Sequence, residues 1–269
     1  MMKTLVLKAS PNKDGNTATL ADRFVAGLRD AGQEDVVEFH LNDMTVRPCQ
    51  ACDGCFKPPY DGCVLDDDFM TIYPVFREAD LVVFGAPVYW WHLCAQMKTF
   101  LDRMHPMLTF DRDHALPTKD LVLISAYYAE DPYGIGLMLK TLESIAGWAG
   151  MGFDVVRFHS AQGHVRDCTE TLEEAYRLGL SFADWERPML SVLCPVENCG
   201  FAFRDIDHAA LHLVMAAGDD HLNWKAENLS AIHTLQNTAQ LTAEAVQILE
   251  QLRRDPTGQG PSRDSTTPA

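Results

Sequence analysis

Short apolar runs alternate with amphipathic stretches along the first two thirds of the chain. Residues 3–9 (KTLVLKA) read as a strand that ends in the turn-forming SPNKDGNT. Over 17–31, Leu20, Phe24, Val25 and Leu28 recur at helical spacing, and Gly32 can stop the helix. Residues 35–40 form a second strand. DDDFMTIYPVFREAD predicts a helix with acidic residues at its start, where the backbone dipole favours them, and Pro74 bends or shortens it. LVVFGAP, 81–87, is the most apolar strand and leads through Tyr89 and Trp90 into a helix near 94–104. Strands over 120–126 and 152–158 follow, with helices over 137–148 and 169–185.

Strands without polar alternation, separated by helices, describe a parallel sheet covered on both faces. Five such units predict an α/β, three-layer αβα sandwich with a five-stranded sheet and ligand loops at the strands' carboxyl ends. The rhythm breaks after 188. Residues 189–252 carry CPVENC, several histidines and a helical stretch over 241–252, for which Thr242 is a candidate cap. Residues 253–269 are rich in Pro, Gly, Ser and Thr, with no hydrophobic anchor, and read as a disordered tail. The expected division is therefore 1–188, 189–252 and 253–269.

Composition narrows the function. With 22 basic and 38 acidic side chains the net charge is −16, which works against a broad nucleic-acid surface. No run of 18 apolar residues and no secretory leader pattern occurs, so no membrane partner and a cytoplasmic location are expected. Six of the eight cysteines fall in two tight groups, spacing that in a reducing compartment points to metal or cofactor chemistry.

The loop from Ser10 to Thr17 lies between a strand and a helix, where free N–H groups and small hydroxyls can hold an anion. It matches neither GxGxxG nor GxxxxGK[ST], and spacing alone also allows a tight turn with a helix cap. SPNKDGNT after the first strand, GAPVYWWHLCAQMKTFLDR after the third, and CQACDGCFKPPYDGCVLDDDF between them together resemble the flavodoxin-like family of NAD(P)H-dependent FMN reductases over about 1–185.

That resemblance implies an FMN phosphate held around Ser10, Asn12, Asn16 and Thr17. It implies a ribityl chain and isoalloxazine against Pro87, Val88, Tyr89 and Trp90, and a third wall near Ser125, Ala126 and Tyr127. Ala9 stands where the family usually has glycine, and the glycine-rich form of the third wall is absent. An aromatic pair beside backbone amides can bracket a flat ring, or can serve core or interface packing. No residue is required as a nucleophile. Tyr127, Tyr128 and His92 are candidate proton donors or simple wall residues, and Lys98, Asp102 and Arg103 read as scaffold.

Cys49-x2-Cys52-x2-Cys55-x7-Cys63 can converge on the irons of a [4Fe–4S] cluster, and looks like the compact motif of iron–sulfur flavoproteins. Zinc, or plain redox-sensitive thiols, are the other readings. Cys194-x4-Cys199-x12-His212-x8-His221 resembles the front of a C2H2 zinc finger, with Phe203 and Ala209 at the small-core positions. The last gap is long, and His208, four residues before His212, competes for the fourth place. A packed cap with two buried thiols is the alternative. Four protein ligands would make the zinc structural, in a small zinc-finger-like module that caps the first domain or its dimer.

The sequence thus predicts an FMN-dependent oxidoreductase, a homo-oligomer, moving electrons from NAD(P)H to a small-molecule acceptor such as a quinone or free flavin, or to a protein. The alternatives are an iron–sulfur flavoprotein acting as electron carrier or redox sensor, and an interaction protein on a flavodoxin scaffold.

Overall fold

A computed structural model describes residues 1–57, 62–108, 116–130, 134–190, 192–196, 199, 202–204, 209, 212–213 and 223–224. It divides into two compact units, Met1–Met189 and Leu190–Ala269. The expected helix over 241–252 and the tail lie outside the described residues.

In the first unit, β1 (Thr4–Lys8), β2 (Val36–His40), β3 (Leu81–Gly85), β6 (Asp120–Tyr127) and β7 (Gly152–His159) form one parallel sheet. Its order is β2-β1-β3-β6-β7. The chain therefore builds outward from β1 in one direction and then the other, and in open sheets of this kind ligands bind outside the strands' carboxyl ends where the order reverses. A two-stranded hairpin, β4 (Val88–Tyr89) and β5 (His92–Leu93), interrupts the run from β3 to the next helix. The hydrophobic continuity of VYWWHL conceals this hairpin in the sequence.

The helices are α1 (Asn16–Asp30), α2 (Phe69–Glu78), α3 (Ala95–Asp102), α4 (Gly136–Ala149) and α5 (Thr169–Leu180). Alternate strand residues feed two cores, as the two-residue period requires. Leu5, Leu7, Val82, Phe84, Leu121 and Leu123 pack with Phe69, Phe76, Phe100 and Leu142 of α2, α3 and α4. Val6, Val83, Val122, Ile124 and Val156 pack with Leu20, Phe24, Leu28 and Ala175 of α1 and α5. Pro74 sits inside α2 without ending it. Gly27 and Gly179 let α1 and α5 touch backbone to backbone, because a Cβ at Gly27 would lie 2.2 Å from the Tyr176 carbonyl.

In the second unit, β8 (Val192–Leu193) and β9 (Ala202–Phe203) form an antiparallel pair. Among the described residues, no helix is long and apolar enough to cross a membrane.

Candidate functional site

Register brings the carboxyl ends of β1, β3 and β6 to one edge, with Lys8 beside Gly85 and Gly85 beside Ile124. Ala9 N–H to the Gly85 carbonyl, at 2.8 Å, and Ala86 N–H to the Ile124 carbonyl, at 3.0 Å, extend the pairing into the loops.

The β1–α1 loop is shaped by its own side chains. Ser10 Oγ accepts from Asn12 N–H at 3.2 Å, Asn12 Oδ1 accepts from Asp14 N–H at 3.1 Å, and Gly15 N–H donates to the Asn12 carbonyl at 3.2 Å. Gly15 is the N-cap of α1, so no side chain caps the helix, and its first turn holds no acidic residue. The leading N–H groups are thus left for an exogenous anion, with the helix dipole in its favour. Ser10 and Thr17 are buried, Asn12 is exposed and Asn16 half-buried. Asn16 Oδ1 accepts from Val165 N–H at 2.9 Å, which ties this loop to the segment after β7.

Pro87 is buried and Val88 half-buried. Tyr89, Trp90 and Trp91 are 45%, 89% and 42% exposed. Tyr89 pairs with His92, so Trp90 and Trp91 are the two central residues of the hairpin turn, with φ of +48° and +62°. Such a turn normally takes Asn-Gly or Gly-Gly, because a Cβ is disfavoured at both positions. Two tryptophans here store strain of about 1–3 kcal/mol each, and strain of this kind gathers at functional sites. Their ring centroids are 5.6 Å apart. His92 Nε2 bonds Thr141 Oγ1 at 3.1 Å and moors the hairpin to α4. Buried Cys94 donates its thiol to the Ala9 carbonyl at 3.5 Å. At the end of β6, Ser125 is fully buried, while Ala126 and Tyr127 are half-buried. Tyr127 stacks on His159 at 5.2 Å, and Tyr128 is exposed.

The four cysteines of the first group line one cavity of about 320 Å³, together with Arg103 and His105. Cys49 and Cys52 are exposed, Cys55 and Cys63 half-buried. Ala51 and Asp53, between them, have φ of +49° and +53°. Ala51 N–H points at Cys49 Sγ at 3.5 Å, the kind of donor that tunes a sulfur ligand. Burial pushes the Cys55 thiol up, and the thiols of Cys63, Cys52 and Cys49 add to the shift. Four thiols facing one hollow fit an iron–sulfur cluster, whose positive irons would relieve that crowding. They do not form a set with all donors within 4.8 Å of one another, the closeness that a single tetrahedral ion requires.

Arg103 is the residue that sequence reasoning undervalued. Its guanidinium is fully buried, reaches Asp67 Oδ2 at 2.8 Å and Oδ1 at 3.1 Å, and donates to the Arg47 carbonyl at 2.8 Å. It also lies within hydrogen-bonding reach of Cys63. Arg47 precedes the cysteine segment and Asp67 follows it, so Arg103 clasps both ends. This places the pocket at the far end of α3 from the hairpin. The eight residues of α3, which rise about 12 Å, run between the hairpin and Arg103. In the second unit Cys194, Cys199 and His212 come together. His208 and His221 lie outside the described residues.

The sequence profile described as flavodoxin-like fold matches residues 2–178. An iron-sulfur flavoprotein of Archaeoglobus fulgidus is 30% identical over 185 residues, covering 68% of this chain and 80% of that protein. A Bacillus subtilis protein named as NAD(P)H-dependent FMN-containing oxidoreductase YwqN is 25% identical over 182 residues, covering 60% and 92%. In fold, the chain is similar to an azoreductase of Bacillus anthracis at a TM-score of 0.54 and 22% identity, over 68% of this chain and 100% of that one.

Proposed function

The chain belongs to the family with the flavodoxin-like fold, and from that premise we propose that it is an FMN-dependent oxidoreductase that takes electrons from NAD(P)H. The acceptor is a small molecule such as a quinone or free flavin. The observation that supports this reading is the uncapped, acid-free start of α1 after β1, at the same carboxyl edge of the sheet from which β3 runs into a strained aromatic turn.

The leading N–H groups of α1, with Ser10, Asn12, Asn16 and Thr17 around them, hold the phosphate. Pro87 and Val88 support the ring from the strand side, while Tyr89 and Trp90 cover it and exclude water. Ala126 and Tyr127 close the third side, with Ser125 beneath them. Bound there, FMN supplies electron exchange between a nicotinamide and the acceptor. Tyr127 places a phenol where a proton can pass to an acceptor oxygen.

A second reading is favoured by the cavity that Cys49, Cys52, Cys55 and Cys63 share. In it they hold a [4Fe–4S] cluster, and the chain works as a one-electron carrier or redox sensor fed by a protein donor. A cluster supplies single-electron transfer; the chain contributes its thiolates, the Ala51 N–H and the Arg103 cation. The similarity to a protein named iron-sulfur flavoprotein supports this reading. Anaerobic mixing separates the two. Rapid bleaching of the flavin by NADH or NADPH supports the reductase, and bleaching only by a reduced protein donor supports the carrier. A chain that takes up no FMN contradicts both.

A further inference from the structure

The second unit holds a cluster that the redox chemistry above does not use. Cys194 directly follows β8, and Cys199 sits on the turn toward β9, its N–H donating to the Val196 carbonyl at 3.1 Å. Val192 pairs with Phe203 and Leu193 with Ala202, so the hairpin returns both thiols to one end. His212 arrives from a helical step beyond β9. The sulfurs of Cys194 and Cys199 and a ring nitrogen of His212 all lie within 4.8 Å of one another.

The spacing suits one tetrahedral ion. With Zn–S near 2.3 Å and Zn–N near 2.05 Å, tetrahedral geometry puts sulfur and nitrogen about 3.5 Å apart. Cys199 Sγ and His212 Nε2 are 3.3 Å apart. Cys199 is 7% exposed and His212 2%. The Phe203 ring lies 4.8 Å from the imidazole and sets its plane. A two-sulfur, one-nitrogen donor set in a buried place selects zinc over harder divalent ions.

We propose that Cys194, Cys199 and His212 are three ligands of one zinc centre that holds the second unit folded. The described core around it is small: Val196, Phe203, Ala209 and Leu213. Ligands brought together by a short hairpin and a following step couple metal binding to folding. This unit lies beyond the residues of the family match, and the centre is independent of whether the first unit binds FMN.

The test is metal analysis of the full chain purified under reductant, with and without added zinc, after desalting. About one zinc per chain is expected. In Cys199→Ser and His212→Ala it falls below one tenth of the wild-type content. The fourfold variant Cys49→Ser, Cys52→Ser, Cys55→Ser, Cys63→Ser keeps it. Should the single variants fail to fold, cobalt substituted into the wild-type and fourfold chains decides: both must show a thiolate charge-transfer band with tetrahedral d–d absorption. A reduced chain that retains no zinc, a fourfold variant that loses it, or a Cys194–Cys199 disulfide found by mass after reductive purification overturns the proposal.

Discussion

Arg103 and Asp67 form a buried two-point ion pair at the foot of the cysteine loop, with N–O distances of 2.8 and 3.1 Å. The Asp67 side chain is 3% exposed and that of Arg103 fully buried. Burial works to raise the Asp67 carboxyl, but the Arg103 hydrogen bond, aided by the N–H groups of Arg47 and Phe69, outweighs it and holds the group at about 2. Because the folded value is depressed, the pair stabilises the protein fully above the unfolded carboxyl range. That stability, about 2–3 kcal/mol, is lost as pH falls from about 4 through 2.

Removing one partner should cost more than removing both. Arg103→Met strands a buried carboxylate and Asp67→Asn a buried cation, each at about 3–5 kcal/mol. The double variant Arg103→Met, Asp67→Asn should recover part of that loss. Urea unfolding of the three variants at neutral pH checks this, and strictly additive losses would contradict a coupled pair.

Trp90 and Trp91 occupy turn positions that suit Asn and Gly. Trp90→Asn with Trp91→Gly should relieve strain and raise stability by about 1–2 kcal/mol, a Tm gain of roughly 2–6 °C. The same change should weaken FMN binding at least tenfold by removing the aromatic cover. Calorimetry of the apoprotein and a flavin titration read the two effects. Lower stability together with unchanged FMN affinity would assign the tryptophans to packing.

Gly15 gives a similar separation at the other wall. Gly15→Asp would place a capping carboxylate where the phosphate is expected, stabilising α1 by a few tenths of a kcal/mol. Its Cβ would meet the Asn12 side chain at 3.2 Å, a contact that a small shift of that side chain relieves. FMN affinity should fall at least tenfold while the apoprotein melts no lower. Flavin binding equal to wild type would sink the anion-site assignment.

Gly54 allows the cysteine loop to close. A Cβ there would lie 2.6 Å from Val64 Cγ2, so Gly54→Ala must displace the Val64 side chain and disturb the loop that carries Cys55 and Cys63. After anaerobic reconstitution, iron retention should drop severalfold, and Cys63→Ser should drop it further through loss of a ligand. Iron contents matching the wild type in both would leave the pocket as ordinary thiols.

The sheet was legible because fully apolar runs such as LVVFG cannot sit anywhere but between two helical layers, and the β1–α1 loop because SPNKDGNT joins a strand to a helix. The hairpin at Trp90 and Trp91 was not. Its turn lacks glycine and asparagine, and its strands are two residues each, so the aromatic run masks the reversal. The KxxxDR spacing offers the surface pair of Lys98 with Asp102, which the structure contains, but it does not reveal that Arg103 turns inward to Asp67. That pairing spans 36 residues, and only folding brings it about. The position of the cysteine pocket follows from it.

The most direct measurement is a reductive titration of anaerobically reconstituted chain under argon, following flavin absorbance and counting electrons. At least two electrons per chain are expected, taken by FMN, and a third is added where the four cysteines hold a cluster. Two electrons with full flavin bleaching would leave an FMN oxidoreductase without a cluster. No flavin uptake and no electrons accepted would contradict the redox function altogether.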